Sequence, residues 1–444
     1  MKLYLKIYLF LVTVIVFNLT AFNQVTTTYW KEGKKKAEGM MKDSLKDGLW
    51  TEWYENGQKL SYGNYTKGQK TGKWEYWYED GKKKGLINLE NGPDSAWFPC
   101  GQLQKQGTVV NGKPEGLWRK YFSNGNLKEE ITYKNGIAQG LSKTYHKNGK
   151  KESEVFYVDG KKNGYTLWWY DTGEKEMEGK LKDDLQDSVW VYYQKNGKVG
   201  SKGNFVNGLQ DGAWTYWYDT GEKWKEGSFK EGKKTGIWTT YYENGQKFHE
   251  GPYVDGKEEG KWTSWYETGK IKDVGNYKGG MMDGKWIGFF PSGKKRYENN
   301  FKNDKFNGSS VLWFESGKTM REANYTDGIR NGRWIEYFPI GSIMESGTYK
   351  NNQKDGYWTF YDEKGVRINE QNYQEGKPEG KWVTYYANGI KSGEGFYLKG
   401  LKHKKWTYYG KDGKIEYQAT FKKGIIVKEN VKQEDKSNIP DKFK

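Results

Sequence analysis

The chain has 444 residues, a net charge of +17 and a hydrophobic fraction of only 34%, half of it aromatic. An aliphatic core of the usual kind cannot be assembled from that inventory, and a single cysteine excludes an intramolecular disulfide. The positive charge is dispersed among glutamates, as around Lys233-Lys234, Lys294-Lys295 and Lys404-Lys405, which marks solvated lysines guarding strand edges and no specific nucleic-acid site.

In chain order, residues 1–24 differ in kind from the rest. Lys2 and Lys6 precede an apolar run, Ile7 to Phe17, followed by Asn18-Leu19-Thr20-Ala21. A basic start, a short apolar stretch and a small residue describe a secretory signal peptide, with cleavage near Ala21 or before Gln24. The run is short beside the ~20 residues of a membrane-spanning helix. The expected location is therefore outside the cytoplasm: periplasm, outer membrane or cell surface, or secreted.

Trp30 to Gly48 reads as a partial repeat, and Trp50 and Trp74 open complete ones. The next unit, around Asn91 to Gly101, slips by four residues and carries Pro93, Trp97, Pro99 and Cys100. From Trp118 to Trp406 the period is a strict 24 residues, through Ser142, Thr166, Trp190, Trp214, Trp238, Trp262, Trp286, Ser310, Trp334, Trp358 and Trp382. Periods of this size mean stacked supersecondary units. The pattern stops after Phe421, and residues 428–444 read as a disordered charged tail behind an array over 25–427.

Each unit reads as a β-hairpin. An aromatic lies three residues past most anchors, and Asn-Gly or Asp-Gly pairs such as Asn56-Gly57, Asp80-Gly81 and Asn244-Gly245 follow. Such pairs signal two-residue type I′ turns, which need positive φ at both positions. A Gly-rich loop such as Lys278-Gly279-Gly280 then leads to the next unit. With Thr268-Gly269 as the turn, Trp262 faces Gly275 and Tyr266 faces Ile271, and the glycine leaves room for an indole across the backbone. Alternation separates an aromatic face with Trp262 and Tyr277 from a face with the Trp265 column and a glutamate column at Glu130, Glu154, Glu178, Glu226, Glu250, Glu298, Glu322, Glu370 and Glu394. The expected fold is all-β: an elongated twisted array of about sixteen stacked antiparallel hairpins.

Catalytic constellations are missing from this reading. His146, His249 and His403 lie in distant repeats, the uniform glutamate column offers no acid–base asymmetry, and the Gly-Lys pairs complete no phosphate loop. No enzyme, metal site or cofactor is expected, and Cys100 reads as a packed or inert thiol.

The string G-x-W-x-x-Y-Y-x-x-G-x-K followed by E-G-x-Y-x-x-G-K, well matched at Gly236 to Gly256 and Gly380 to Gly400, resembles the MORN-repeat-variant family of bacterial proteins. The resemblance spans Trp30 to Gly424 and implies an array of antiparallel hairpins. Many family members carry an antitoxin-like label, and related MORN repeats are linked to lipid and protein scaffolding. An exported start fits poorly with a cytoplasmic antitoxin. The hairpins of Gly72 to Gly81 also resemble choline- and glucan-binding repeats, although those are nearer twenty residues long.

The leading expectation is an exported, non-enzymatic scaffold that binds other proteins at the cell envelope, its free sheet edges suited to strand addition. Membrane association has no support beyond the signal peptide. The alternative is glycan or cell-wall polymer binding by Trp53, Trp77, Trp169, Trp217, Trp265 and Trp313, where rings would stack on sugars and neighbouring glutamates accept hydroxyls. The repeat itself makes a prediction. Deleting Gly212 to Thr235, one full period, leaves a folded array that melts cooperatively; a twelve-residue deletion reverses every downstream strand and melts far lower or aggregates. Thermal melts followed by circular dichroism distinguish the two, and equal tolerance would refute stacked hairpins.

Overall fold

A computed structural model describes residues 24–430, and every regular element among them is a β-strand. The signal peptide, apart from Gln24, and residues 431–444 of the tail lie outside the described residues. The chain divides between Lys198 and Val199 into two compact units. Within each, strands pair antiparallel with their sequence neighbours, as Leu45–Trp53 does with Lys59–Thr66, and Lys59–Thr66 in turn with Gln69–Trp77. The hairpins built on Trp50 through Thr166 and on Trp214 through Trp406 are all formed. Two margins differ from the sequence reading. Gln24–Tyr29 and Lys35–Lys42 make a complete hairpin where a partial repeat was expected. The strand Ile425–Asn430 pairs with Ile415–Lys422, so residues 428–430 belong to the sheet and not to the tail.

The primed turns sit at the opposite end from the one expected. In the loop after Trp53, Tyr54 N–H donates to Gln58 O (2.8 Å), Gly57 N–H donates to Tyr54 O (3.0 Å), and Gly57 alone has positive φ. That is a type I turn closed by a glycine bulge, not a two-residue I′ turn. The same turn forms with threonine in place of the asparagine, at Thr268-Gly269, and the Asn56 side chain reinforces it. Its Oδ1 accepts from Gln58 N–H, and its amide donates to Glu79 O one repeat on, both at 2.9 Å. Trp262 therefore faces Gly275 as expected, but the bulge puts Trp265, not Tyr266, opposite Ile271. Consecutive positive φ values occur instead where the chain passes to the next repeat, at Asn207-Gly208 (49° and 79°) between paired Val206 and Leu209. Connection and hairpin are thus equivalent, and each unit is an uninterrupted meander.

One contact sets the period. Gly227 is paired with Trp214 in its own hairpin, and a Cβ there would lie 2.2 Å from the ring of Trp238 in the next repeat. Gly275 faces Trp262 in its hairpin, yet the ring that lies on it is Trp286 of the following repeat. A glycine eleven residues before an anchor is what lets an indole lie flat on the backbone. The ladder skips two residues ahead of the anchor, as between Thr71 and Trp74, and the indole N–H fills in by donating to the carbonyl ten residues earlier: Trp74 to Asn64 (3.1 Å), Trp238 to Ser228 (3.0 Å) and Trp358 to Thr348 (3.0 Å). Where the anchor is small, the residue eleven earlier is large: Ile131 before Ser142, Val155 before Thr166, Asn299 before Ser310. Trp334, after Ala323, and Trp382, after Gln371, depart from the pairing rule, and the buried indole N–H groups of Trp262 and Trp334 have no partner.

This complementarity is measurable. Gly227→Val alone should cost about 1–3 kcal/mol by overpacking, and Trp238→Thr alone about 3–5 kcal/mol. The double variant recreates the Val155/Thr166 pair, so its loss should fall well short of the sum. Additive losses in denaturant melts would show that the two positions do not share one volume.

Candidate interaction surfaces

On the aromatic face the anchors form the core. Trp74 and Trp358 are fully buried and Trp238 nearly so. Each of these three indoles rests on a glycine, meets a tyrosine or phenylalanine edge-on (Tyr65 to Trp74, 5.0 Å; Phe229 to Trp238, 5.0 Å) and is covered by a lysine four residues earlier, a position that other anchors fill with residues such as Gln186, Glu258 or Met282. Lys70 stands 3.9 Å over Trp74, Lys354 4.0 Å over Trp358 and Lys234 4.5 Å over Trp238. The ammonium caps the ring while its methylenes cover apolar surface, which is how one sheet keeps tryptophans dry. The spacing of these lysines was visible in the sequence, but their role depends on a ring held flat.

The opposite face carries the glutamate column, and its carboxylates are engaged. Lysines three residues earlier bind them: Lys175 to Glu178 (2.8 Å), Lys223 to Glu226 (2.9 Å) and Lys391 to Glu394 (3.1 Å). Where the aromatic past the anchor is tyrosine, its hydroxyl donates to the same carboxylate, as Tyr241 to Glu226 (2.6 Å) and Tyr409 to Glu394 (2.7 Å). Where it is tryptophan, the lysine of that ion pair stands over the ring: Lys151 5.3 Å over Trp169, Lys247 5.6 Å over Trp265 and Lys295 5.6 Å over Trp313.

The six tryptophans expected to form a ligand surface are half-buried in this network. Trp53 and Trp77 stand in successive hairpins of the first unit, and Trp169 lies further along it. Trp217, Trp265 and Trp313 occupy every second hairpin of the second unit, with Tyr241 and Phe289 between them. Their strands are tied together by bonds from one repeat to the next, such as Tyr54 Oη to Trp77 O (3.0 Å) and Tyr242 Oη to Trp265 O (2.9 Å). His146 takes that tyrosine's place against Trp169 O (2.7 Å), and His249 stacks on Trp262 at 4.4 Å, so both serve the ladder. Cys100 is exposed at a turn, contrary to a packed thiol, with Sγ 3.7 Å from Ser123 O.

A feature the sequence reading missed lies one residue before each anchor. Alternation puts that residue on the glutamate face. In the first unit it is Leu49, Lys73 and Pro93 and then, in four successive repeats, Leu117, Leu141, Tyr165 and Val189, these four 45–61% exposed, with Phe156 beside Leu141. In the second unit the same position holds Lys261, Lys285, Arg333, Lys381 and Lys405, together with Ala213, Ser309 and the exposed Ile237 and Tyr357. Four successive repeats of the first unit thus carry an apolar row, while in the second unit charged residues predominate at this position and Ile237 and Tyr357 are the exposed apolar ones.

The family model for the MORN repeat variant matches eleven segments, residues 46–67, 70–91, 114–135, 138–159, 210–231, 234–255, 258–278, 282–303, 330–351, 378–399 and 402–423, more than half of the chain. The chain belongs to the MORN repeat variant family. Each MORN-variant segment takes in one anchor strand and the strand paired with it, and such repeats generally serve as protein- and membrane-interaction scaffolds. The hairpins of Asp94, Thr166 and Ser310 fall outside the matched segments although they fold the same way. None of the curated proteins matches the chain. Among solved structures, those of TcdB2-TccC3-Cdc42 and of TcdB2-TccC3 are similar at 10% identity over 89% and 90% of this chain. The chain spans about a quarter of their length (24% and 26%), and a TM-score of 0.15 carries no conclusion. No helix among the described residues is long and apolar enough to cross a membrane.

The network of MORN-variant glutamates has a pH signature. The Tyr241 hydroxyl and the Lys223 ammonium hold the Glu226 carboxyl below its usual range. Burial and the hydrogen bond to the glutamate push Tyr193 and Tyr241 up to about 12, and the bond to Glu394 does the same for Tyr409. A raised phenol pKa stabilises the fold fully below the unfolded value of 10.0 and loses that contribution as pH rises towards about 12. Alkaline titration of phenolate absorbance should therefore show a late-ionising set near pH 12 that ionises together with unfolding. Glu226→Gln should bring Tyr241 back towards 10, whereas a single titration near 10 for all tyrosines would mean that the network does not form.

Proposed function

We propose that this MORN-variant chain is an exported, non-enzymatic scaffold that binds other proteins at the cell envelope. The observation that carries the reading is the apolar row Leu117, Leu141, Tyr165 and Val189. Apolar surface gathered on a polar face favours protein association, and aromatic and branched side chains at regular spacing suit a partner that lies across several repeats. Glycan binding through the Trp53-to-Trp313 column is the weaker reading, because a sugar would first have to displace ammonium groups such as Lys151 from Trp169 and Lys247 from Trp265. Export rests on the basic and apolar start of the chain.

Leu141→Lys with Tyr165→Lys is the decisive variant, since other repeats already carry lysine there. Lys285 at the equivalent position shares Glu298 with Lys295 (2.7 and 3.0 Å), so Glu154 and Glu178, already bound by Lys151 and Lys175, can take a second lysine in the same way. The variant should fold and melt like the parent yet lose envelope proteins that the parent captures in affinity pull-downs. Unchanged capture would remove the row from the account. Recovery of the intact chain, with its first 24 residues, from cytoplasm would overturn export.

A further inference from the structure

The repeat between Trp74 and Trp118 is four residues short, and its anchor position falls on Asp94, which faces Gly107 as Trp262 faces Gly275. Two positions on, where Trp74 is followed by Tyr76, stands Ala96. The aromatic face thus loses two rings in one hairpin. On the preceding strand Ile87 holds the glycine position, as Ile131 and Val155 do before other small anchors. Those two are 5% and 4% exposed, whereas Ile87 is 37% exposed. Nothing in the hairpin covers it.

The gap is a concave site. A depression of about 430 Å³ is lined by Ile87, Asp94, Lys105, Val109, Trp118 and Tyr133 among others. A second, of about 360 Å³, shares Ile87 and Lys105 and is walled by Tyr76, Tyr78 and Trp97. Both lie in the size range of small-molecule pockets. Into the first is set a buried carboxylate: Asp94 is 7% exposed, and its Oδ1 accepts no hydrogen bond. Thr166, in the same anchor position, is satisfied through Oγ1 to Glu154 O (3.0 Å). Lys105 Nζ stands 3.5 Å from Asp94 Oδ1, so the charge has a counter-ion and what is missing is a neutral donor. Burial raises the Asp94 pKa, consistent with a carboxylate short of hydrogen bonds.

We propose that the short repeat binds a planar aromatic ring bearing an N–H or O–H donor, seated on Ile87 between Tyr76 and Trp118, its donor directed at Asp94 Oδ1. The site offers what the array gives its own indoles elsewhere: an apolar floor, aromatic neighbours, a lysine and an acceptor for the ring N–H. The ring could arrive as a small molecule or as a tryptophan or tyrosine side chain. The proposal does not rest on the scaffold reading.

Ligand-observed NMR titration of the full chain with indole, benzofuran and N-acetyltryptophanamide tests it. Indole should bind saturably, and benzofuran, of the same shape without the N–H, about tenfold or more weakly. Asp94→Leu should erase that discrimination while retaining apolar contact. Ile87→Gly with Asp94→Trp restores an ordinary repeat and should abolish binding of all three. Tighter binding of free indole than of the amide assigns the site to small aromatic molecules; the reverse assigns it to a peptide side chain. If the parent chain binds neither indole nor the amide, or the filled variant binds as well as the parent, the proposal is wrong. Equal affinity for indole and benzofuran would remove Asp94 from the site, and that comparison needs only the parent chain.

Discussion

An indole lying flat on a glycine Cα is the contact from which the rest of this architecture follows. A sheet one layer thick has no second layer to bury its aromatic face against, so each ring must find cover within the sheet. The glycine supplies the depth, an edge-on tyrosine or phenylalanine the side wall, and a lysine the lid, as Gly63, Tyr65 and Lys70 do for Trp74. The indole N–H then restores the hydrogen bond lost where the ladder skips residues. Glycine and ring belong to successive repeats, so the unit that packs is the junction between hairpins and not the hairpin. That is why the spacing tolerates no single-residue insertion from Trp118 to Trp406.

Parity explains the one departure that does occur. The short repeat has lost four residues, an even number taken from two antiparallel strands. Asp94 still faces Gly107, and Tyr78 still donates to Trp97 O (2.8 Å), nineteen residues on instead of the usual 23. A loss of one or two residues from a single strand would have turned side chains over or displaced the turn. The price is the pair of rings that those positions carry elsewhere.

Much of this was legible in the amino-acid order, and the failures have definite causes. The anchor spacing and the phase of glycines such as Gly203 and Gly275 carry the fold, because a Cβ at either would lie 2.0 Å from the ring that covers it. Asn-Gly misled on turn type. The dipeptide suits both a primed turn and a type I turn with a glycine bulge, and the same bulged turn at Thr268-Gly269 shows that its type does not depend on the asparagine. Reading the glutamates as free hydroxyl acceptors overlooked lysines three residues before them, a spacing meaningful only once one face of a strand is fixed. Asp94 escaped attention because the slip hid its equivalence to the tryptophans.

Regularity and recognition pull in opposite directions in such an array. A residue that repeats from hairpin to hairpin is there because its neighbours also repeat, and in this chain those neighbours mostly satisfy it: glutamates by lysines and tyrosines, indole N–H groups such as those of Trp74 and Trp238 by carbonyls, and rings such as Trp74 and Trp358 by lysines. Selectivity can then reside only where the repeat varies without unfolding. Two kinds of variation meet that condition. At the position before the anchor, a side chain projects away from the packed indoles, so Leu141 and Lys285 are interchangeable for the fold and different for a partner. At Asp94, the pairing of a small anchor with a large residue eleven positions earlier would ordinarily close the surface, as Ile131 and Ser142 do. With Asp94 only seven positions after Ile87 that closure fails, and an apolar floor and a buried acceptor are left facing the same space.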